Sequence, residues 1–308
     1  MIAGELSAAE FTRLLEGPGV RLRIGPFTVA IRCAERGVFG STLQRLYADF
    51  PTLPENEPAE FRVRMRRPFG ARRWFHPQIV FLLDDVEPFY PFPAPLAFPL
   101  FEWGLNWCIY EHVHDFLLLH AAVVEKGGRA LLMPAGTGAG KSTLTAALVH
   151  RGWRLLSDEF ALVGKADGLV YPIPRPIGLK QASIPLIGKF APELEFGPVF
   201  IETRKGTVAH LRPPADAVRR MDEPARPSWL VFPGFDAQAG NHLAARSKAA
   251  AFIAAAACSF NYKSLGEAGF DVLARLIEGC DCFEFPFNDL GAAADTLDRL
   301  GEGRRSAA

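Results

Sequence analysis

Residues Ala135–Ser142 read A-G-T-G-A-G-K-S, and the rest of the chain is organised around them. Apolar Leu131, Leu132 and Met133 lead in, and Leu144, Ala146, Ala147 and Leu148 follow, so a buried strand is expected to pass through a glycine-rich turn into a helix. That is the layout of a phosphate-binding P-loop. Gly136, Gly138 and Gly140 let successive backbone N–H groups converge on phosphate oxygens, Lys141 is placed to reach the outer phosphates, and the Ser142 hydroxyl can ligate Mg²⁺. The expected nucleotide contacts are Ala135, Gly136, Thr137, Gly138, Ala139, Gly140, Lys141, Ser142 and Thr143. The strict pattern G-x-x-x-x-G-K-[ST] asks for glycine where this chain has Ala135. The plainer alternative is a glycine loop capping a helix beside a chance lysine.

The helix from Lys141 should stop near Gly152, and Trp153–Ser157 returns as a strand that delivers Asp158 and Glu159 to its end. Strand, loop, helix and strand form a βαβ unit, whose parallel crossover places the end of the second strand beside the phosphate site. Phosphoryl transfer needs carboxylates there, one to hold Mg²⁺ and one to accept the proton of an attacking hydroxyl. A simple acidic turn is the alternative. Upstream, Phe116–Val124, the turn Lys126-Gly127-Gly128 and Ala130–Met133 read as a β-hairpin running into the loop, with His120 on its first strand. His120 is either a satisfied core histidine or a site residue. Downstream, Pro172–Lys180 is a proline-rigid basic segment whose Arg175 and Lys180 could stabilise charge on a transferred group, or serve structure alone.

Composition limits the alternatives. The chain has 308 residues, 49% hydrophobic and 22% charged, with Lys+Arg 34 against Asp+Glu 34. No global field would recruit nucleic acid or an anionic membrane, so neither is an expected partner. No targeting segment or membrane span is read, which leads to a cytoplasmic expectation. The five cysteines form no C-x-x-C pair, which speaks against a disulfide framework and a zinc site. Cys280-x-Cys282 reads as packing rather than as a metal site.

Ahead of the hairpin, a short helix over Ala8–Leu15, an alternating strand over Val20–Ile31 and a helix over Ser41–Phe50 are expected. In Phe61–Met65 apolar residues alternate with Arg62, Arg64 and Arg66, and Arg67, Arg72 and Arg73 follow. This basic strand is either a docking surface or the solvated face of an edge strand. Ile79–Leu83 is another strand. The prolines from Pro88 to Pro99, interleaved with aromatics, read as an extended connector, followed by a helix over Trp103–Val113. The division expected is a small β-rich N-terminal domain over 1–100 and a catalytic domain over 101–308. Thr203–Gly206 and Arg212–Pro214 are basic loop segments, read as surface turns or as candidates for gripping substrate, Trp229–Phe232 is a core strand broken by Pro233-Gly234, and Ala244–Ala257, Phe270–Leu276 and Leu290–Leu300 are helices, with Cys282–Phe287 a strand and 301–308 a frayed tail.

Taken together, L-L-H-A-A-V-V, the hairpin, A-G-T-G-A-G-K-S-T-L and R-G-W-R-L-L-S-D-E resemble the catalytic domain of HPr kinase/phosphorylase, and most closely the bacterial HPr-kinase-related kinase A group. The resemblance covers Phe116–Val163 well and the remainder weakly. It implies an α/β (α+β) P-loop kinase domain of the type shared with phosphoenolpyruvate carboxykinase, using ATP and Mg²⁺. It implies catalytic roles for Asp158, His120, Lys141 and Arg175: Asp158 as general base, His120 assisting it, and Ser142 and Glu159 holding Mg²⁺. Ala135, Thr143-Leu144 and Glu159 depart from the family pattern, and HPr itself is not the expected substrate. The acceptor implied is a Ser or Thr hydroxyl on a peptide or small protein, in a system that includes a PqqD-like peptide chaperone. Homo-oligomerisation is left open, and so are a small-molecule kinase and an ATP-gated binding module.

Overall fold

The computed structural model describes residues 1–34, 37–70 and 75–303. Arg72, Arg73 and residues 304–308 of the expected tail lie outside the described residues. Helix α1 (Ala8–Glu16) is opened by Ser7, whose hydroxyl accepts from the Glu10 N–H while the Glu10 carboxylate accepts from the Ser7 N–H. The single strand expected over 20–31 is two. β1 (Val20–Ile24) and β2 (Phe27–Cys33) form a hairpin in which Ile24 faces Phe27 across Gly25, whose φ of 60° only glycine adopts freely. Helix α2 (Val38–Leu46) ends four residues earlier than its apolar spacing suggests, because Tyr47 and Phe50 turn inward and are fully buried.

Strands β3 (Thr52–Leu53), β4 (Phe61–Arg66), β5 (Gln78–Leu83) and β6 (Phe92–Pro93) complete a six-stranded sheet in the order β3-β1-β2-β4-β5-β6. The basic strand β4 is therefore interior, parallel to β2 and antiparallel to β5, and the edge-strand expectation is corrected. Helix α3 (Ala97–His112) begins six residues before the expected start. Pro99 sits in its first turn, where its missing N–H costs no hydrogen bond. Apolar packing is continuous past residue 100: Phe98, Phe101 and Leu105 of α3 share one core with the sheet above and with Leu118, Phe160 and Leu162.

Beyond α3 the chain runs through β7 (Phe116–Lys126), β8 (Arg129–Pro134), α4 (Lys141–His150), β9 (Arg154–Ser157), β10 (Phe160–Gly164) and β11 (Val170–Tyr171). It continues with β12 (Ile177–Lys180), α5 (Ser183–Phe190), β13 (Phe200–Thr203), β14 (Gly206–Leu211), α6 (Ala215–Arg219) and β15 (Arg226–Phe235). The last elements are β16 (Ala244–Ala245), α7 (Lys248–Ala257), α8 (Tyr262–Gly279), β17 (Asp281–Phe287) and α9 (Leu290–Glu302). The main sheet has the order β11-β10-β7-β8-β15-β17-β16, with β9 also paired to β7, and β12-β14-β13 form a separate small sheet.

The expected hairpin before the loop is present, with Lys126 opposite Arg129 across Gly127 and Gly128, both at positive φ. Helices cover both faces of the main sheet. Alternate residues of β7 divide between them: Ala122 and Val124 pack with α4 and α9, while Leu119, Ala121 and Val123 pack with α7 and α8. β15 continues through Pro233-Gly234, correcting the expected break, because its β8 side has no partner beyond Leu230 and a proline there removes no ladder bond. The fold is mixed α/β with several sheets and helices. Among the described residues no helix is long and apolar enough to cross a membrane.

Candidate active site

The loop between β8 and α4 places its left-handed backbone at Gly138 and Gly140, with φ of 92° and 88°. Both require glycine, and a Cβ on Gly140 would meet the Phe287 ring at 2.6 Å. Ala135 has no such conformation, so the one departure from the loop pattern falls where a methyl group is tolerated. Lys141 opens α4 and is buried; its ammonium donates to the carbonyls of Ala135 at 2.6 Å and Gly136 at 3.0 Å. Burial lowers its pKa, opposed by Glu159 and Asp158. The charge is thus held over the mouth of the loop.

Asp158 and Glu159 do not end a strand beside β8. β9 and β10 run one after the other along the same side of β7, with Ser157 opposite Val123 and Phe160 opposite His120. β7 lies between β8 and β9, so the expected parallel crossover spans an intervening antiparallel strand. The carboxylates occupy the interruption between β9 and β10. There the Ser157 hydroxyl accepts from the Phe160 N–H at 3.1 Å, a local turn that competes with the ladder.

The two neighbours live in different surroundings. Asp158 is buried; its Oδ2 accepts from the Gly178 N–H of β12 at 3.1 Å, and its Oδ1 is buried with no hydrogen-bond partner. Burial and the charge of Glu159 push its pKa up to about 7, although the nearby Ser142 hydroxyl and Lys141 favour the charged form. Glu159 is half-buried, with Oε2 3.5 Å from His120 Nε2. Burial opposes its charge, but the hydrogen bond from His120 and the charges of Lys205 and Lys180 bring it down to about 2. His120 is fixed on β7 because its N–H donates to the Cys258 carbonyl at 2.7 Å, which sets its ring beside that of Phe260.

A cavity of about 180 Å³ brings together His120, Thr137, Lys141, Ser142, Asp158 and Glu159, with Lys180 at its side. At His120, Thr137, Glu159 and Lys180 it opens into a much larger groove of about 900 Å³. Arg175 does not line the loop cavity. It is buried, donates to Asn106 and lies 3.9 Å from Glu102 Oε2, in a small neighbouring pocket that it shares with Glu159, Lys180, Lys205 and His210.

Two further groups lie beside Glu159. Lys205 tips the β13–β14 hairpin, in the basic segment read as a surface turn or a substrate grip, and the structure turns it toward Glu159 with Gly206 at positive φ after it. His210 is buried between the rings of Phe98 and Phe200, and burial with the charge of Arg175 takes its pKa down to about 4. Nothing in the local sequence pointed to it. No protein-family model and no curated protein matches the chain.

Proposed function

We propose that this chain is an ATP-dependent phosphotransferase that moves the γ-phosphoryl group onto a Ser or Thr hydroxyl of a peptide or small protein, in the manner of the HPr-kinase-related enzymes it resembles. One observation carries the reading: a glycine-built loop with its lysine and serine, two carboxylates and a histidine converge on one small cavity. The residues fit a Mg²⁺ ion. Asp158 Oδ1 is a buried oxygen without a partner on a carboxylate near the Ser142 hydroxyl, and Mg²⁺ in phosphoryl-transfer sites is held by one or two protein oxygens together with the phosphates. When bound it would neutralise charge on the phosphates.

The geometry favours one division of labour between the carboxylates. Asp158, beside Ser142, faces the loop and would hold the metal; Glu159, joined to His120, faces the groove from which an acceptor would approach. In that arrangement the acceptor oxygen bonds to the γ-phosphorus, the bond to the β–γ bridging oxygen breaks, and the acceptor proton passes to Glu159. Lys141 stays over the departing phosphates. The reverse assignment, with Asp158 as base and Glu159 on the metal, draws support from the elevated pKa of Asp158, since a base works best near the operating pH.

Purified protein with γ-labelled ATP and Ser/Thr peptides separates the two. Under the favoured division Asp158→Asn weakens Mg²⁺-dependent nucleotide binding, while Glu159→Gln binds nucleotide normally and loses about 10²–10³ in transfer rate, the size of a lost acid–base contribution. The opposite pattern restores the reverse assignment. Transfer undiminished in both variants overturns the phosphotransfer site. Transfer only to metabolites, or binding without turnover, points to a small-molecule kinase or an ATP-gated binding module.

A further inference from the structure

The wide groove is not accounted for by nucleotide binding. It touches the loop cavity only through His120, Thr137, Glu159 and Lys180, so whatever occupies it meets the γ-phosphate end of the site. It is lined by segment 87–92, held rigid by Pro88 and Pro91, together with α3 and Phe260. Phe89 and Trp107 meet edge to face at 5.7 Å, and Tyr110 stacks on Phe260 at 5.7 Å and 21°. Tyr90 is 85% exposed and Phe260 44% exposed. Contiguous exposed aromatic surface of this kind marks a binding site.

The groove is electrically one-sided. Lys180, Arg204 and Lys205 line it, none with a carboxylate at ion-pair distance among the described residues. Arg204 lies over the Phe92 ring at 5.0 Å and Lys205 over the Trp103 ring at 5.3 Å, so rings rather than anions hold them. Glu87, at the aromatic end, is occupied by Arg66 at 2.5 Å.

We propose, resting on the phosphotransfer reading, that the acceptor is an extended peptide segment whose apolar or aromatic side chains lie along segment 87–92 and α3. Its hydroxyl reaches Glu159 and His120, and an acidic residue beside that hydroxyl pairs with Arg204 and Lys205. The volume of about 900 Å³ is at the upper end of what encloses a small ligand, and several residues of an extended chain fill it. A nucleic-acid strand is the poorer fit, because successive phosphates need cations along the whole track and the lysines and arginines lining the groove are Lys180, Arg204 and Lys205 among the described residues. Rigid aromatic walls bind a flexible segment at lower ordering cost on the protein side.

The test offers the full chain a degenerate peptide library with a fixed central Ser or Thr, alongside 5′-hydroxyl oligonucleotides, with γ-labelled ATP. Peptides selected should carry an acidic residue near the acceptor and apolar or aromatic residues beyond it. Tyr90→Ser and Arg204→Glu should each raise KM for the best peptide about tenfold, with ATP binding unaltered. Arg204→Glu should in addition shift selection from acidic to basic flanks, which a purely structural role would not do. Peptide transfer without sequence preference, unaltered selection in both variants, or transfer to oligonucleotides alone overturns the proposal. Phosphate passed from ATP to a metabolite but to no peptide overturns it while leaving phosphotransfer standing; no ATP binding, or binding without any transfer, removes the phosphotransfer reading itself.

Discussion

Two basic regions that look alike in sequence behave differently in the fold. On β4, Arg62, Arg64 and Arg66 each meet a carboxylate supplied just after β5: Asp84 at 3.5 Å, Asp85 at 2.8 Å and Glu87 at 2.5 Å. Asp84 and Asp85 occupy left-handed turn positions, where short polar residues are tolerated, so the turn that ends β5 also aims its charges at β4. Around the loop, by contrast, Lys141, Lys180 and Lys205 converge on two carboxylates and a cavity. Cations that neutralise one another's surroundings locally are structural. Cations gathered against too few anions raise one another's free energy until an anion arrives.

That contrast can be broken at several points. Lys141→Ala should cost most, lowering phosphotransfer about 10²–10³-fold through lost stabilisation of the phosphates, with thermal unfolding little changed; radiolabel transfer and calorimetric ATP titration measure it. A stable variant that transfers normally would dissolve the distinction between the regions. Next in size is His210, buried and neutral. Its folded pKa of about 4 lies below the unfolded value, so the unfolded chain takes up the proton first. Stability should be complete above about pH 6.5 and decline as pH falls toward 4, by about 3 kcal/mol at most. Urea midpoints at pH 7 and pH 5 should show this slope in the native chain and a flatter one in His210→Phe.

Lys205→Ala comes third. Removing this charge should raise the Glu159 pKa toward the ordinary carboxylate range while leaving it ionised at neutral pH, and with one cation fewer in the groove the KM for an acidic peptide should rise about tenfold without lowering the unfolding midpoint. Arg64→Ala should do least. Its partner is exposed, and surface pairs contribute roughly 0.2–1 kcal/mol, so a small stability loss with full activity is expected from denaturant melts and transfer assays. Loss of transfer in that variant would make β4 a docking surface after all.

The loop, its hairpin and the helix after it were legible because each announces itself locally. Glycines sit where φ is positive, a two-glycine turn joins two apolar runs, and Gly152 closes α4 with φ of 85°. What was illegible depends on neighbours distant in the chain. Gly25-Pro26 reads as an interruption of alternation, yet it folds β1 against β2. Whether β4 stands at an edge is decided by β2 on one side and β5 on the other. The small sheet β12-β14-β13 brings Gly178 to Asp158 and Lys205 to Glu159 through pairings that short basic turns do not reveal. Most residues that line the cavity could be named from sequence, whereas their surroundings, and the exclusion of Arg175 from that lining, could not.

The interruption between β9 and β10 has a consequence for how such a site can arise. In an uninterrupted strand, consecutive side chains point to opposite faces, so one of Asp158 and Glu159 would project away from the cavity into an apolar layer. The hydroxyl of Ser157, by satisfying the Phe160 N–H locally, releases both from that alternation and lets adjacent positions serve one cavity. A single serine thereby works as a grammatical comma in the strand: it separates two stretches of framework and leaves a pair of acids between them that the sheet does not have to parse.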